Sequence, residues 1–241
     1  MQTTEDAVYQ GRVTLIQPTK GFRVGMDSLI LAASLPYRSG GHALELGSGC
    51  GGAVLPAAFR HSDMSFTGIE IDPAMATLAR QGAEANGWSS RIAIHTAEAG
   101  EWVKAHENQF DLVFANPPYF EPGRISAPGE GKESAYLEYL DLPSWIKAMV
   151  FAAKPRAPIV MIHRAAELAR ILQGFDKQMG EVTVLPIAAK PGEPARRVLV
   201  RGRKGLKRGE VRLLAPLVLH KPDGAVSDAL SVVQRGGAID W

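Results

Sequence analysis

Asparagine and two consecutive prolines follow a short apolar run in FDLVFANPPYF, residues 110–120. Proline has no amide hydrogen and restricts the residue before it, so the predicted strand must end near Asn116. The Asn116 side-chain oxygen and the Pro117 carbonyl can accept the two hydrogens of an amino group on a planar ring or amide. Tyr119 offers a face on which a base can stack. Asn116, Pro117, Pro118 and Tyr119 are therefore the candidate catalytic residues, and their chemistry is to orient a weakly nucleophilic nitrogen.

A second candidate group lies in the run ALELGSGCGG, residues 43–52. It places Glu45 and the spaced glycines Gly47, Gly49 and Gly51 where a predicted strand passes into a helix. Glycine permits positive φ and close backbone approach, so a ligand can lie against the loop and the start of the helix. The glycines alone do not distinguish a nucleotide site from an ordinary strand–helix turn.

Acidic residues also end the next two predicted strands. In FTGIEIDP, Glu70 precedes Ile71 and can accept hydrogen bonds from both hydroxyls of a ribose. In HTAEA, Glu98 can accept a hydrogen bond from the amino group of an adenine. With Glu45, these carboxylates predict a crevice for an adenosine that carries a small cationic or zwitterionic arm. Each carboxylate taken singly is also compatible with a helix cap or a solvated residue.

The elements that must position these residues alternate between short apolar strands and longer helical patterns. This alternation predicts an α/β fold with a doubly wound, seven-stranded and mostly parallel sheet and helices on both faces. The predicted strands are His42–Leu46, Ser65–Ile71, Arg91–Thr96, Phe110–Ala115, Pro158–His163, Glu181–Pro186 and Arg197–Arg201. The predicted helices are Asp27–Pro36 with an aspartate cap, Gly51–Arg60, Pro73–Asn86 ended by Gly87, Leu142–Lys154 and Arg164–Met179.

We expect a single domain over residues 1–241. Residues 1–40 would cover the cofactor and substrate, residues 41–204 would form the catalytic core, and residues 205–241 would form a C-terminal extension. The loop from Glu121 to Asp141 is too long for an ordinary connection and predicts a lid or substrate loop. Within the extension, the apolar run Leu213–Leu219 predicts a hairpin or a docking strand.

The order of these motifs resembles the class I S-adenosylmethionine-dependent methyltransferases, with ELGSGCG, IEID and NPPY as the first, second and fourth motifs. A dehydrogenase also uses a glycine loop and a ribose-binding acid, but it has no role for NPPY. The resemblance implies that S-adenosyl-L-methionine is the cofactor, and it covers the chain from about Pro18 to Lys204. The residues that it assigns to the cofactor are Arg23, Gly25, Asp27, Glu45, Gly47, Gly49, Gly51, Glu70, Ile71, Glu98 and Asn116.

The stretch PTKGFRVGMDSLILAA, residues 18–33, further resembles the opening motif of bacterial tRNA adenine-N6 methyltransferases that modify a valine tRNA. In that family the stretch covers the cofactor, so Gly25, Asp27 and Ser28 are expected to meet its methionyl carboxylate or to cap the following helix. The resemblance implies methyl transfer to the exocyclic N6 of adenine in tRNA. An oxygen-directed enzyme is disfavoured because NPPY supplies neither a base nor a metal site.

Three other functions stay open: methylation of a protein glutamine amide, methylation of a small molecule, and a non-catalytic module that binds the cofactor and RNA. The chain departs from the resembled family in the acidic stretch GKESAYLEYLDL and in KPRAPIVMIHR, both where substrate is expected. Arg124, Lys132 and His163 are candidate substrate contacts there. The particular tRNA and adenosine therefore cannot be assigned from these motifs.

Charge is distributed unevenly along the chain. Residues 190–212 contain nine basic and two acidic residues, a net charge of +7, so the rest carries −5 because the total is +2. Lysine and arginine neutralise phosphates without reading sequence, which favours RNA as the partner, although a solvated basic face would look the same. One cysteine, no long apolar run and no apolar core near the N-terminus predict a cytoplasmic protein without disulfides or membrane spans. No metal site is expected, because methyl transfer from a sulfonium does not need a metal. The sequence does not indicate an oligomeric state.

Overall fold

The computed structural model describes residues 1–21, 23–36, 39–118, 140–176 and 178–241. Its strands are β1 (Thr3–Val8), β2 (Val13–Pro18), β3 (His42–Leu46), β4 (Ser65–Glu70), β5 (Ile92–Thr96), β6 (Leu112–Ala115), β7 (Pro158–Arg164), β8 (Met179–Ala188), β9 (Arg197–Lys204), β10 (Arg212–Leu213) and β11 (Leu217–Val218). Its helices are α1 (Met26–Ser34), α2 (Val54–Arg60), α3 (Pro73–Ala85), α4 (Ala99–Trp102), α5 (Leu142–Ala152), α6 (Leu168–Asp176) and α7 (Asp228–Gln234). Tyr119, Arg124, Lys132 and nearly all of the predicted 121–141 loop lie outside the described residues.

The central sheet is nine-stranded and mixed. Its order is β10-β8-β9-β7-β6-β3-β4-β5, and β11 also pairs with β8. All seven predicted strands are present and the α/β prediction is confirmed, but the predicted count of seven strands is wrong, because the two-residue strands β10 and β11 also pair with β8. Strands β3 to β7 are parallel, whereas β9 runs antiparallel to both β7 and β8. The chain winds outward in both directions from β3 and β6, which makes the carboxyl ends of these two strands the expected position for a ligand.

The core lies on both faces of the sheet. Helices α1, α2, α3 and α7 cover one face, where Ile30, Leu55 and Phe66 are almost completely buried. Helices α4, α5 and α6 cover the other face, where Met149 of α5 and Phe175 of α6 are completely buried. Because each fully buried side chain of this kind contributes about 1.5–3 kcal/mol, the two layers hold the strand ends in fixed positions.

Two predictions near the N-terminus were incomplete or wrong. Strands β1 and β2 form an antiparallel hairpin that was not predicted, because the side chains of β1 alternate only between exposed and half-buried and include no fully buried residue. Helix α1 begins at Met26 with Gly25 as its N-cap, so the prediction that Asp27 caps it is wrong. Asp27 Oδ2 instead accepts from Arg197 Nε at 2.8 Å, a partner on β9.

Other differences concern element ends. The predicted helix 164–179 is divided, because a short 3-10 turn over residues 165–167 precedes α6 and Met179 already begins β8. Gly87, at φ +71°, ends α3 as predicted. The tail supplies a docking strand, since β11 pairs in parallel with β8, and it continues into the unpredicted helix α7. No helix in the described ranges is long and apolar enough to cross a membrane.

Candidate active site

The loop after β3 is held in a shape that only glycine adopts without strain. Gly47, Gly49 and Gly51 have φ of +74°, +54° and +90°. The amides of Gly47 and Ser48 donate to Ile69 O at 2.8 and 3.0 Å, which fixes the loop against the end of β4. The three predicted glycines therefore form a fixed turn at the carboxyl end of β3.

Side chains from two distant segments cover this turn. A Cβ on Gly52 would lie 2.5 Å from Val24 Cγ2, and a Cβ on Gly47 would lie 2.8 Å from Trp145 Cη2. Val24 belongs to the segment between β2 and α1, and its amide is fixed by Gln17 Oε1 at 2.7 Å. The N-terminal element thus lies directly over the glycine loop. Trp145 of α5 was not predicted, because nothing in its local sequence separates it from an ordinary core residue.

Glu70 connects the second predicted motif to the first. Its Oε2 accepts from the Gly49 amide at 2.7 Å and its Oε1 accepts from the Asp72 amide at 2.9 Å. Each carboxylate oxygen retains a lone pair, so the group can still accept from a ribose hydroxyl. Burial raises the pKa of Glu70. Ile71 follows directly, between this carboxylate and the start of α3.

Glu45 is the most buried of the predicted site residues that carry a charge. Its side chain is 2 % exposed, and burial, with a smaller contribution from Glu70, raises the pKa of Glu45 to about 8. Among the described residues, neither Glu45 Oε2 nor the buried hydroxyl of Ser48 has a partner at full hydrogen-bonding geometry, although Ser48 lies near enough to Glu45 to lower its pKa. These two buried groups can therefore pair with each other or with a polar ligand group. A cation would suit Glu45 best, because it would stabilise the ionised carboxylate.

Glu98 lies at the end of the neighbouring strand, β5. It is the N-cap of α4, and its carboxylate accepts from the amides of Gly100 at 2.8 Å and Glu101 at 2.6 Å. The amide of Ala97 donates to Glu70 O, so the Glu70 and Glu98 strand ends are neighbours. The capping role is therefore observed, and the contact of Glu98 with adenine stays a prediction.

The predicted cofactor residues of the N-terminal segment are engaged within the protein. Arg23 pairs with Asp6 at 2.8 Å and donates to Pro18 O at 3.0 Å, which fastens the segment to the β1–β2 hairpin. Gly25 caps α1 in an extended conformation, and Asp27 pairs with Arg197. These contacts hold the cover over the glycine loop. Direct contact of Arg23, Gly25 or Asp27 with the cofactor stays a prediction.

Asn116 follows β6 at the centre of the sheet edge. Because Ala115 pairs with Leu46, Asn116 and Gly47 leave neighbouring strands side by side. Pro117 is buried and Pro118 is exposed. Asn116 Nδ2 lies 3.5 Å from the hydroxyl of Ser28, a 6 % exposed residue in the first turn of α1. The structure thus brings Asn116, the glycine loop and α1 together.

His163 was a candidate substrate contact, and the structure gives it a buried position near the end of β7. Its side chain is 4 % exposed, and burial lowers the pKa of His163 to about 4. A neutral, buried imidazole of this kind does not supply positive charge to a phosphate at neutral pH. Within the described ranges, no group of three or more His, Cys, Asp or Glu side chains could hold a metal ion.

These features fit S-adenosylmethionine. The crevice combines the glycine loop, the buried carboxyl of Glu45, the half-buried carboxyl of Glu70 and a cover from the N-terminal segment. Glu45 is suited to an ammonium group, Glu70 to ribose hydroxyls, and Glu98 to an adenine amino group.

Comparison with known proteins supports this interpretation. Residues 43–126 match the family model described as a methyltransferase domain. The tRNA1(Val) (adenine(37)-N6)-methyltransferase of Escherichia coli strain SE11 is 32% identical over 123 residues, which are 51% of this chain and 50% of that protein. Its counterpart in Cronobacter sakazakii is 30% identical over 120 residues, 49% of each chain. The match thus spans about half the length of these curated relatives.

Two solved structures share most of the fold. One, from Agrobacterium tumefaciens, is described as a predicted O-methyltransferase, Atu636; it aligns with a TM-score of 0.72 and 26% identity over 89% of this chain and 98% of its own. The PH0793 protein of Pyrococcus horikoshii aligns with a TM-score of 0.60 and 12% identity over 85% of this chain and 72% of its own, and this likeness concerns the fold alone. The fold is the α/β Rossmann-like fold of class I methyltransferases, and the matched domain and the similar proteins support a class I S-adenosylmethionine-dependent methyltransferase.

Proposed function

We propose that this protein transfers a methyl group to the exocyclic N6 of adenine in tRNA. The observation that carries the proposal is the pairing of Leu46 with Ala115, which puts Asn116 and Pro117 beside the glycine loop at the switch point of the sheet. A group that orients an amino nitrogen is thereby adjacent to the loop that holds the methyl donor. The similarity to tRNA adenine-N6 methyltransferases supports the same substrate atom.

The proposed mechanism depends on orientation rather than on a strong base. The cofactor supplies an electrophilic methyl group on a sulfonium. The lone pair of an adenine amino nitrogen is delocalised into the ring, so the nitrogen is a weak nucleophile. Asn116 Oδ1 and the Pro117 carbonyl accept its two hydrogens and draw it toward tetrahedral geometry, which directs the lone pair at the methyl group. When bound, the cofactor would supply the methyl group and leave as a neutral thioether, and the extra proton of the nitrogen would pass to water, because the Asn116 amide is too weak a base to take it.

The other residues of the crevice would bind and position the cofactor and the substrate base. Glu45 would meet the ammonium group of the cofactor, Glu70 the ribose hydroxyls and Glu98 the adenine amino group. Val24, which lies over Gly52, would exclude water from one side of the cofactor site. Tyr119 would stack against the substrate base, as predicted from the sequence.

Transfer to oxygen is the second candidate, because the Agrobacterium tumefaciens protein is described as a predicted O-methyltransferase and aligns over most of both chains. Oxygen methylation would need a group to take the hydroxyl proton or a metal to lower its pKa. On the neighbouring strand β7, burial lowers the pKa of His163 to about 4, which makes this imidazole a poor base at neutral pH. This favours nitrogen as the acceptor.

A transfer assay tests the proposal. Purified protein is incubated with methyl-labelled S-adenosylmethionine and bulk unmodified tRNA, and the digested nucleosides are identified by mass. We expect N6-methyladenosine from the wild type and from Gln109→Ala, which removes an exposed amide just before β6, and none from Asn116→Ala. Cofactor affinity should be nearly equal in all three proteins.

Other products would decide against parts of the proposal. A 2′-O-methylated nucleoside would establish the oxygen-directed alternative. Unlabelled RNA, despite measurable cofactor binding, would exclude tRNA and direct the assay to glutamine-containing protein substrates and small amines. N6-methyladenosine from Asn116→Ala at the wild-type rate would remove Asn116 from the mechanism.

A further inference from the structure

The basic segment, residues 190–212, does not form one surface in the folded chain. Arg197 begins β9 opposite Arg164, the last residue of β7, whereas Arg203 near the end of β9 lies opposite Pro158, the first residue of β7. Because β9 is antiparallel to β7, its first residues lie at the carboxyl edge of the parallel strands, where Asn116 also lies. Its last residues lie about 20 Å away at the opposite edge, at about 3.3 Å per residue.

Basic residues at the far end of β9 are largely occupied by the fold. Lys204 Nζ donates to Asn108 Oδ1 at 2.7 Å and to Ala153 O at 2.9 Å. Arg203 Nε donates to Arg156 O at 2.9 Å. Beyond β9, Arg208 pairs with Asp176 at 2.6 Å. These side chains already pair with carboxylate or carbonyl groups of the protein, so they have less charge and fewer hydrogen-bond donors available for a phosphate.

At the start of β9, on the same edge as Asn116, two basic residues, Lys190 and Arg196, lie on the loop 189–196 that joins β8 to β9. Arg196 is exposed and Lys190 is half-buried, and neither makes an ion pair with any of the described residues. Backbone hydrogen bonds from Arg196 N to Ile187 O and from Ala165 N to Arg196 O hold the loop against β8 and the end of β7. Lys190 and Arg196 are therefore available charges on a fixed support.

This loop is close to the proposed reaction centre. Strand β9 is the second neighbour of β6, so the two strands are about 10 Å apart. Arg164 and Arg197 lie along the same edge, but each already faces a carboxylate, Glu167 at 3.8 Å and Asp27 at 2.8 Å. An adenine that reaches Asn116 must be taken out of its stack. The phosphates on either side of this nucleotide then lie within about 10 Å of the base.

We propose that the loop 189–196 is the surface that binds the RNA backbone, with Lys190 and Arg196 contacting phosphates next to the methylated adenosine. The inference rests on the proposed function, since it takes tRNA as the substrate. It assigns the phosphate contacts to the start of β9 and excludes the remainder of the basic segment from a major role.

Paired charge reversals test this assignment. The first variant is Lys190→Glu with Arg196→Glu. The control is Lys207→Glu with Arg212→Glu, which makes the same change in the same segment at exposed residues, near Gly180 and Thr183 toward the other end of β8. For each protein, tRNA affinity is measured at about 50 and 200 mM salt, together with cofactor affinity and thermal unfolding.

We expect the first variant to bind tRNA at least about 10-fold more weakly, with a shallower salt dependence, because each lost phosphate contact removes about 0.7 from the slope for single-stranded RNA. Cofactor affinity should not change, and the control should bind tRNA within about 2-fold of the wild type. Lys190→Gln with Arg196→Gln gives the same comparison if the double reversal does not fold.

Equal losses in both variants, or a larger loss in the control, would overturn the inference. These differ from a failure of the proposed function, in which the wild type itself would neither bind nor methylate tRNA. Wild-type methylation of tRNA combined with normal binding by the first variant would reject this surface and leave the proposed reaction intact.

Discussion

The side-chain Nδ2 of Asn116 lies 3.5 Å from the hydroxyl oxygen of Ser28, which precedes it by 88 residues in the chain. This separation is at the long end of the hydrogen-bond range, as is common in active sites before substrate binds. A hydroxyl that accepts from Nδ2 places Oδ1 on the opposite side of the amide. Ser28 therefore supports the orientation in which Asn116 accepts a hydrogen from the substrate.

Ser28→Ala should reduce kcat about 5-fold, because the loss of one hydrogen bond of about 1 kcal/mol leaves the Asn116 amide less well oriented. Ser28 would act as a positioning residue, so the KM for tRNA and the cofactor affinity should change little. Steady-state kinetics and cofactor titration check this split.

Ser34→Ala is the matched control, because Ser34 is a buried serine of the same helix whose hydroxyl donates to Leu31 O at 2.7 Å, far from Asn116. It should keep the wild-type kcat. Equal rates for the two variants would show that Ser28 does not orient Asn116.

Glu45 should make stability depend on pH. The pKa of Glu45 is raised from its ordinary 4.5 to about 8 by burial, so between these values the folded chain holds a proton that the unfolded chain releases. The free energy of unfolding therefore falls as pH rises through this window, by up to about 1.4 kcal/mol per unit from this group. Its stabilising contribution is complete below about pH 4.5 and is lost above about pH 8.

Glu45→Gln removes the titrating group and should flatten this dependence. Chemical denaturation at several pH values from 5 to 8 measures the slope, with Glu210→Gln as a control at an exposed carboxyl. A slope for Glu45→Gln equal to that of the wild type would mean that the Glu45 carboxyl is ionised throughout this range.

Glu70→Gln should weaken cofactor binding about 10-fold. The amide keeps the size of the side chain but loses the charge that strengthens hydrogen bonds with ribose hydroxyls, worth about 1.5–3 kcal/mol. Calorimetric titration with the cofactor measures the change. Glu84→Gln, at an exposed position on α3, should bind normally. An unchanged dissociation constant in Glu70→Gln would count against the ribose assignment.

The sequence predicts the strand ends better than it predicts what surrounds them. Gly47 and Asn116 each follow a short apolar strand and Glu70 ends one, and parallel strands bring their carboxyl ends to one edge whatever the remaining contacts are. The Asp27 cap was wrong because its partner, Arg197, lies 170 residues away and nothing local indicates it.

The basic segment shows a similar limit. Its composition is visible in the sequence, but the direction of β9 decides which charges reach the active-site edge. That direction depends on pairing with β7 and β8, which the periodicity of a single strand does not encode. The β1–β2 hairpin was missed for a related reason, since β1 has no fully buried residue and gives no apolar pattern.

The tail contacts the last turn of α1, whereas Ser28 lies in the first turn of the same helix. A substitution in the tail therefore tests whether the stability of α1 affects the reaction. Trp241 Nε1 donates to Ser34 O at 2.8 Å, the amide of Ile239 donates to Ala33 O at 2.8 Å, and the Arg201 guanidinium lies 4.5 Å from the centre of the Trp241 ring. Trp241→Ala removes a hydrogen bond to the last turn of α1, a cation–π contact and apolar area.

We expect Trp241→Ala to lower the free energy of unfolding by about 2 kcal/mol, the sum of contacts of this kind at a partly buried site. Asp240→Asn, an exposed neighbour, should change it by less than about 0.5 kcal/mol. Because α1 carries Ser28, the loosened helix should also lower kcat while leaving cofactor affinity nearly unchanged. Denaturant unfolding and transfer kinetics on both variants measure these effects. Wild-type stability in Trp241→Ala would show that the tail does not anchor α1, and the link from Trp241 through α1 to Asn116 would then be rejected.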